Sequence, residues 1–265
     1  GGKREVWCCG RGFAGLEGLK EAYYHPRLVI ICVKSYSLPD LSRELKESGL
    51  LEERFKESQF ILLMNGMGNR ELFLNSGLDP ARLQEGITSL GVLLAGEGKV
   101  ELKGRGKTVL QNQIGREDRQ FLEKRFSEMG FEIEFSKDFC RQQFLKLLAN
   151  AAINPITALT RRQNGVVLSP ALKSTVERVV AETVAVAKAE GLAISEEEAL
   201  GLVLSVAEKT AANTSSMLQD VLRGKETEIE AINGYLVREA KKHRIAVPVN
   251  EALYGMVSSI SIGSS

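Results

Sequence analysis

Lys146, Asn150 and Asn154 recur at i, i+4 and i+8 in the segment Phe144-Leu145-Lys146-Leu147-Leu148-Ala149-Asn150-Ala151-Ala152-Ile153-Asn154-Pro155. In a helix that spacing lines three side chains along one stripe. Their neighbours are apolar or small, so the stripe borders a buried place, where a lysine and two amides need partners. A substrate carbonyl and carboxylate would supply them. Desolvation lowers the pKa of a lysine and makes it a usable general acid near neutral pH. The same spacing also suits a plain polar stripe at a domain interface. Pro155 cannot donate a backbone hydrogen bond and is expected to kink or end the helix.

A second polar cluster spans Asn213-Thr214-Ser215-Ser216-Met217-Leu218-Gln219-Asp220 and continues through Arg223-Gly224-Lys225-Glu226-Thr227-Glu228. Helix starts offer free N–H groups suited to a carboxylate. Ser215 also reads as an ordinary helix cap, and Asp220 as a solvated residue. Thr227 and Glu230 have the spacing of a capping box, which puts Glu228 in the first turn of a helix. A catalytic role for Glu228 does not follow from that position.

Near the N-terminus, Gly10-Arg11-Gly12-Phe13-Ala14-Gly15 fits G-x-G-x-x-G between a strand candidate and a helix candidate. Glycines there let the backbone turn sharply and approach a pyrophosphate, whose charge the helix N-terminus favours. An ordinary strand-to-helix turn has the same appearance. A complete dinucleotide-binding domain places an acidic residue, or an arginine for NADP, at the end of its second strand about 20 residues on. The next strand candidate here ends in Lys34. Two readings stay open. Either one strand unit is missing, or Glu5–Arg11 is itself the second strand. In the second case Arg11 is the 2′-phosphate contact and the fingerprint lies upstream.

The elements that must position these groups fall into two sets. Up to about residue 138, β-rich runs alternate with helical ones. Strands are expected at Glu5–Cys9, Leu28–Val33, Phe60–Met64, near Thr88–Leu94, Lys99–Leu102, Thr108–Ile114 and Phe131–Phe135. Helices are expected through Leu16, Leu19 and Ala22 and over Glu117–Met129. Leu28–Val33 reads as buried on both faces. This alternation predicts a mostly parallel α/β domain over 1–138. From there the periodicity is helical, over 139–154, 170–190, 196–212, 214–222, 227–243 and 250–261. Pro248 is expected to break the chain before the last helix, with Asn250 as its cap. The second domain, 139–265, is therefore all-α.

Composition excludes several classes. The 265 residues carry 35 basic and 34 acidic side chains, a net charge of +1 that calls for neither nucleic acid nor an anionic membrane. Apolar runs fall short of the ~20 residues of a spanning helix. Cys8, Cys9, Cys32 and Cys140 match no zinc spacing and read as reduced core residues of a cytoplasmic protein. No Ser-His-Asp set, Cys-His set or metal-ligand spacing is expected around His25 and His243.

Taken in order, several segments resemble the ketopantoate reductase family over about residues 28–260. They are Cys32-Val33-Lys34, Asn65-Gly66-Met67-Gly68, Lys146 through Asn154-Pro155, Asn164-Gly165 and residues 215–236. The resemblance implies a Rossmann domain paired with a helical domain, an active site in the cleft between them, and NADPH-dependent reduction of 2-dehydropantoate to (R)-pantoate. It implies Lys146 as the general acid and Glu228 as an assisting acidic residue. Substrate contacts would be Asn150, Asn154, Asn213, Ser216 and Asp220. The cofactor NADP(H) would meet Lys34 and Asn65 at its nicotinamide side and Asn164 further along the cleft. Family members carry roughly one more β-α-β unit between the fingerprint and the strand ending in Lys34. The rival readings are a reductase of another branched 2-keto acid, and a non-catalytic relative that keeps the helical fold. A homodimer is compatible with the helical domain, though no segment demands one.

Overall fold

A computed structural model describes residues 16–20, 25–96 and 99–262. The expected strand at Glu5–Cys9 and the glycine-rich segment with Gly10, Arg11, Gly12 and Gly15 lie outside the described residues. The chain forms two compact units. One comprises residues 1–33, 37–64 and 70–139; the other takes 34–36, 65–69 and 140–265.

The first unit alternates helices and strands in the order α1 (Leu16–Lys20), β1 (Leu28–Ile31), α2 (Leu38–Ser48), β2 (Gln59–Leu63), α3 (Asn69–Leu74), β3 (Leu83–Thr88), β4 (Gly91–Gly96), β5 (Lys99–Gly104), β6 (Lys107–Gln111), α4 (Arg116–Glu128) and β7 (Glu132–Ser136). Among the described residues, five strands make one sheet in the order β1-β2-β3-β6-β7. All its pairs are parallel except β3 with β6. Strands β4 and β5 form a separate antiparallel pair.

Apolar β2 sits between two neighbours and buries Phe60, Ile61 and Leu62. Phe60 packs against Phe55 and Phe73 over α2, whose Leu38 and Leu45 are buried. β1 is less enclosed than its apolar run suggests. It stops at Ile31, and Ile30 is 45% exposed. The exposed Ile30 shows that β1 is not buried on both faces; among the described residues it is also an edge strand. Cys32 and Cys140 are exposed rather than core residues.

The expected strand near Thr88–Leu94 is really the end of β3 and the start of β4. The central strand β3, sequence LQEGIT, carries little apolar signal. Its place is made by packing: a Cβ on Gly86 would lie 2.3 Å from Leu110 Cδ2 of β6, so glycine leaves room for that leucine. The Gln111 side chain adds a further tie by accepting the Glu85 N–H at 2.9 Å.

The second unit is helical: α5 (Phe139–Thr160), a 3-10 turn Asn164–Leu168, α6 (Lys173–Ala189), α7 (Glu196–Lys209), α8 (Ser216–Leu222), a π-turn Glu230–Gly234, α9 (Tyr235–His243) and α10 (Pro248–Ile262). Phe144, Leu147, Leu148, Ala151 and Ala152 turn one side of α5 into a core with Val179, Val180, Val203, Ile232 and Leu236. No described helix is long and apolar enough to cross a membrane.

Three local expectations fail here for identifiable reasons. Of the two outcomes expected at Pro155, a kink or an end, the end does not occur: α5 continues past the expected 154 to Thr160. A proline at 155 leaves the Ala151 carbonyl without its usual donor. A buried orphan carbonyl costs about 1–3 kcal/mol. Asn233 Nδ2 fills the vacancy at 3.2 Å. The proposed capping box at Thr227 is absent: the Thr227 hydroxyl is buried without a partner, Glu230 pairs with Arg238 and Tyr254, and Glu228 precedes the π-turn. Pro248 opens α10 rather than preceding it, and Asn250 is fully buried inside it. The capping acceptor is Glu182, whose carboxylate receives the N–H groups of Val249 and Asn250, each at 2.9 Å.

Candidate active site

Within the helical unit, three stretches far apart in sequence converge on Lys146. The first is residues 34–36, which follow β1. The second is the loop 65–69, which follows β2. The third is the segment from α8 to the π-turn. Lys146 Nζ donates to Asn65 Oδ1 at 3.0 Å, and Asn65 Nδ2 donates to Glu228 Oε2 at 3.1 Å. An ammonium only donates and a carboxylate only accepts, so this network allows the amide one orientation. The other Glu228 oxygen accepts the Ser35 N–H at 3.3 Å. Lys34 Nζ bonds Asp220 Oδ2 at 2.7 Å and lies 3.7 Å from Glu228 Oε2.

The loop bearing Asn65 is fixed by its backbone. Gly66 has φ +78°, and a Cβ there would come within 2.4 Å of the Ala231 carbonyl oxygen. That close approach lets Met67 N–H donate to the same oxygen at 2.9 Å. Asn69 Nδ2 closes the loop by donating to the Asn65 carbonyl at 3.0 Å.

Electrostatics separate the two lysines. Burial pushes the Lys146 pKa down to about 8, only partly countered by the nearby Glu228 charge. Burial also lowers Lys34, but Glu228 and Asp220 outweigh it and hold Lys34 above the usual lysine value. Asp220 and Glu228 are both buried, at 6% and 5% exposure, so Asp220 is an ion-pair partner and not a solvated residue. Lys34 is thus a fixed cation, while Lys146 exchanges its proton near neutral pH.

The other sequence candidates lie on or next to α5, α8 and the 3-10 turn. Asn150 and Asn154 follow Lys146 along α5, and their side-chain amides have no hydrogen-bond partner among the described residues. Ser215 caps α8 by accepting the Leu218 N–H at 3.1 Å, leaving Ser216 exposed as its first residue. The Ser215 hydroxyl also lies 2.6 Å from that of Thr157, which donates to the Asn154 carbonyl at 2.8 Å. Asn164 and Asn213 are joined to each other by Asn164 N–H to the Asn213 carbonyl at 3.0 Å. Asn164 Nδ2 is committed to Thr210 at 2.9 Å. Ser35, Asn69, Ala231 and Asn233 escaped the sequence reading. Backbone donors and acceptors carry no residue-type signal, and nothing local links position 233 to position 151.

The described strands and helices define a Rossmann-like α/β unit followed by a helical unit that holds a desolvated lysine against an amide and a carboxylate. This is the makeup of a two-unit oxidoreductase class. Residues 20–114 match the family model "Ketopantoate reductase PanE/ApbA", and residues 138–261 match "Ketopantoate reductase PanE/ApbA C terminal". A 2-dehydropantoate 2-reductase of Pyrococcus horikoshii is 32% identical over 241 residues, covering 88% of this chain and 75% of that protein. The crystal structure of a PanE/ApbA family ketopantoate reductase from Ralstonia eutropha JMP134 has a TM-score of 0.80 at 27% identity, covering 91% of this chain and 78% of that one. D-mandelate dehydrogenase, in a ternary structure with NADH and anilino(oxo)acetate, shares the fold with a TM-score of 0.81 at 23% identity, covering 92% and 79%. The chain belongs to the ketopantoate reductase family.

Proposed function

We propose that this protein reduces 2-dehydropantoate to (R)-pantoate with NADPH, using Lys146 as the general acid. The observation that carries the reading is the chain Lys146–Asn65–Glu228, in which a lysine of lowered pKa is aimed by an amide of single allowed orientation. Near neutral pH this lysine can protonate an oxygen on which negative charge builds. Its conjugate form regains a proton from solvent. Glu228 opposes loss of the proton and, through Asn65, keeps the ammonium in place.

Asn150 and Asn154 offer amides to the keto acid, and Ser216 at the start of α8 suits its carboxylate. Asp220 holds Lys34. The donor set also fits a nicotinamide cofactor. Lys34 and Asn65 follow the carboxyl ends of adjacent parallel strands, where open α/β sheets bind ligands. When bound, the reduced nicotinamide supplies the hydride. The Asn164 contact and the glycine-rich segment Gly10, Arg11, Gly12 and Gly15 belong to the same proposal.

The test is steady-state reduction of 2-dehydropantoate by purified protein with NADPH and with NADH, followed by nicotinamide absorbance. Saturable turnover preferring NADPH is expected. Absence of turnover with either nucleotide would overturn the reading. Arg11→Gln sharpens it: if Arg11 meets the 2′-phosphate, the variant weakens NADPH and spares NADH. The shared fold with D-mandelate dehydrogenase motivates a wider panel, including aromatic 2-keto acids. A higher kcat/KM for one of these than for 2-dehydropantoate would reassign the substrate.

A further inference from the structure

We propose that the π-turn Glu230–Gly234 positions both halves of the active site, and that Asn233 is the residue through which it sets Asn154 relative to Lys146. The inference rests on the substrate role proposed above for Asn154. The turn is wide because Gly234 N–H bonds back to the Ile229 carbonyl, five residues earlier, at 3.0 Å. π-turns concentrate at functional sites. Here its residues face two different segments. The Ala231 carbonyl holds Met67 N–H at 2.9 Å and so fixes the loop of Asn65. Asn233 Nδ2 holds the Ala151 carbonyl at 3.2 Å and so fixes α5.

The placement of the second bond matters. Ala151 stands between Asn150 and Asn154, and its carbonyl is the one Pro155 cannot serve. Without a donor there, the hydrogen-bond ladder between the turn carrying Asn154 and the turn carrying Lys146 lacks one of its rungs. Asn233 is fully buried, and its two amide hydrogens suit Ala151 and Asn250 Oδ1, the latter at 3.0 Å. Asn250 is anchored in turn, donating to Glu182 at 2.7 Å. The donor thus belongs to a rigid chain of amides and a carboxylate running from α5 through the π-turn and α10 to α6. The described hydrogen bonds of the Asn233 side chain go to the Ala151 carbonyl and Asn250, not to a candidate substrate-binding side chain; it is a positioning residue.

The test pairs Asn233→Leu with Asn233→Leu/Pro155→Ala, because alanine at 155 restores a backbone N–H for the Ala151 carbonyl. The single variant should raise the KM for keto acid about tenfold, the scale of one lost hydrogen bond. The nicotinamide KM and the alkaline limb of the pH profile should stay unchanged. The double variant should recover KM to within about threefold of the parent. An unchanged KM with only a lowered Tm would reduce Asn233 to a core residue and overturn the proposal. So would a folded double variant that fails to recover. Asn233→Ala, with and without Pro155→Ala, replaces the leucine pair if that variant does not fold. Thermal unfolding of these proteins, with the Pro155→Ala single variant completing a four-protein cycle, separates the two readings. If the parent reduces no keto acid but Pro155→Ala still restores Tm, the helix brace stands and the substrate assignment of Asn154 falls. If Tm shows no coupling between 233 and 155, the brace itself is refuted.

Discussion

The two ends of the polar stripe on α5 are built differently. Lys146 is engaged through Asn65 with Glu228, and burial has shifted its pKa to about 8. One and two turns later, the side-chain amides of Asn150 and Asn154 make no hydrogen bond among the described residues, although Asn154 is buried. On the proposed roles, the group that moves a proton is held in one pose before any ligand arrives, and the groups that recognise the ligand keep their hydrogen-bonding capacity for it. Preorganisation of the first kind serves the transition state; availability of the second serves binding.

The sharpest break of this contrast is Lys146→Met. It should lower kcat by ~10³-fold, in the range expected for loss of a general acid, with nicotinamide binding retained. The same variant should unfold at a higher temperature at neutral pH. The folded pKa lies below the unfolded one, so the unfolded chain holds more protons between about pH 8 and 10.5, and stability rises with pH across that window. Removing the buried cation removes that penalty. Equal Tm values at pH 7 would show that Lys146 carries no such burden.

Asn154→Ala and Asn150→Ala should act at the other end, raising the keto acid KM by about 10- to 30-fold, near the value of a hydrogen bond to a charged group. A fall in kcat instead would erase the division of labour. Next in size is the pH dependence of reduction in the parent protein. The acid must be protonated, so the rate should fall as pH rises through about 8. Asn65→Leu withdraws the acceptor that favours the ammonium, and the falling limb should move to lower pH. A limb that does not move would separate Lys146 from Asn65. Lys34→Met should give the smallest change in kcat/KM, a few-fold, and act mainly as a lowered Tm, because Lys34 is paired with Asp220 and its loss leaves that buried carboxylate without its cation.

Periodicity alone exposed the stripe Lys146–Asn150–Asn154, since i, i+4 spacing is a property of any helix. It also separated the α/β part from the helical part. It could not expose Asn65, Lys34 or Glu228 as partners of Lys146. Contacts such as the one between positions 65 and 146 depend on how distant segments fold together, and only the family resemblance drew attention to these residues. β3 was misplaced because its burial comes from neighbours rather than from its own side chains. The passage of α5 through Pro155 was hidden for a similar reason: its compensating donor sits 82 positions from Ala151.

The missing side chain at Gly86 has a consequence for how this sheet could be altered. The space it leaves is occupied by the tip of Leu110, with Leu63 close behind. A methyl added at 86 overfills the layer and should cost about 1–3 kcal/mol. Trimming Leu110 to alanine alone would hollow the same layer. Made together, the two changes exchange volume across the β3–β6 seam, so these two positions are tied as a lock is to its key.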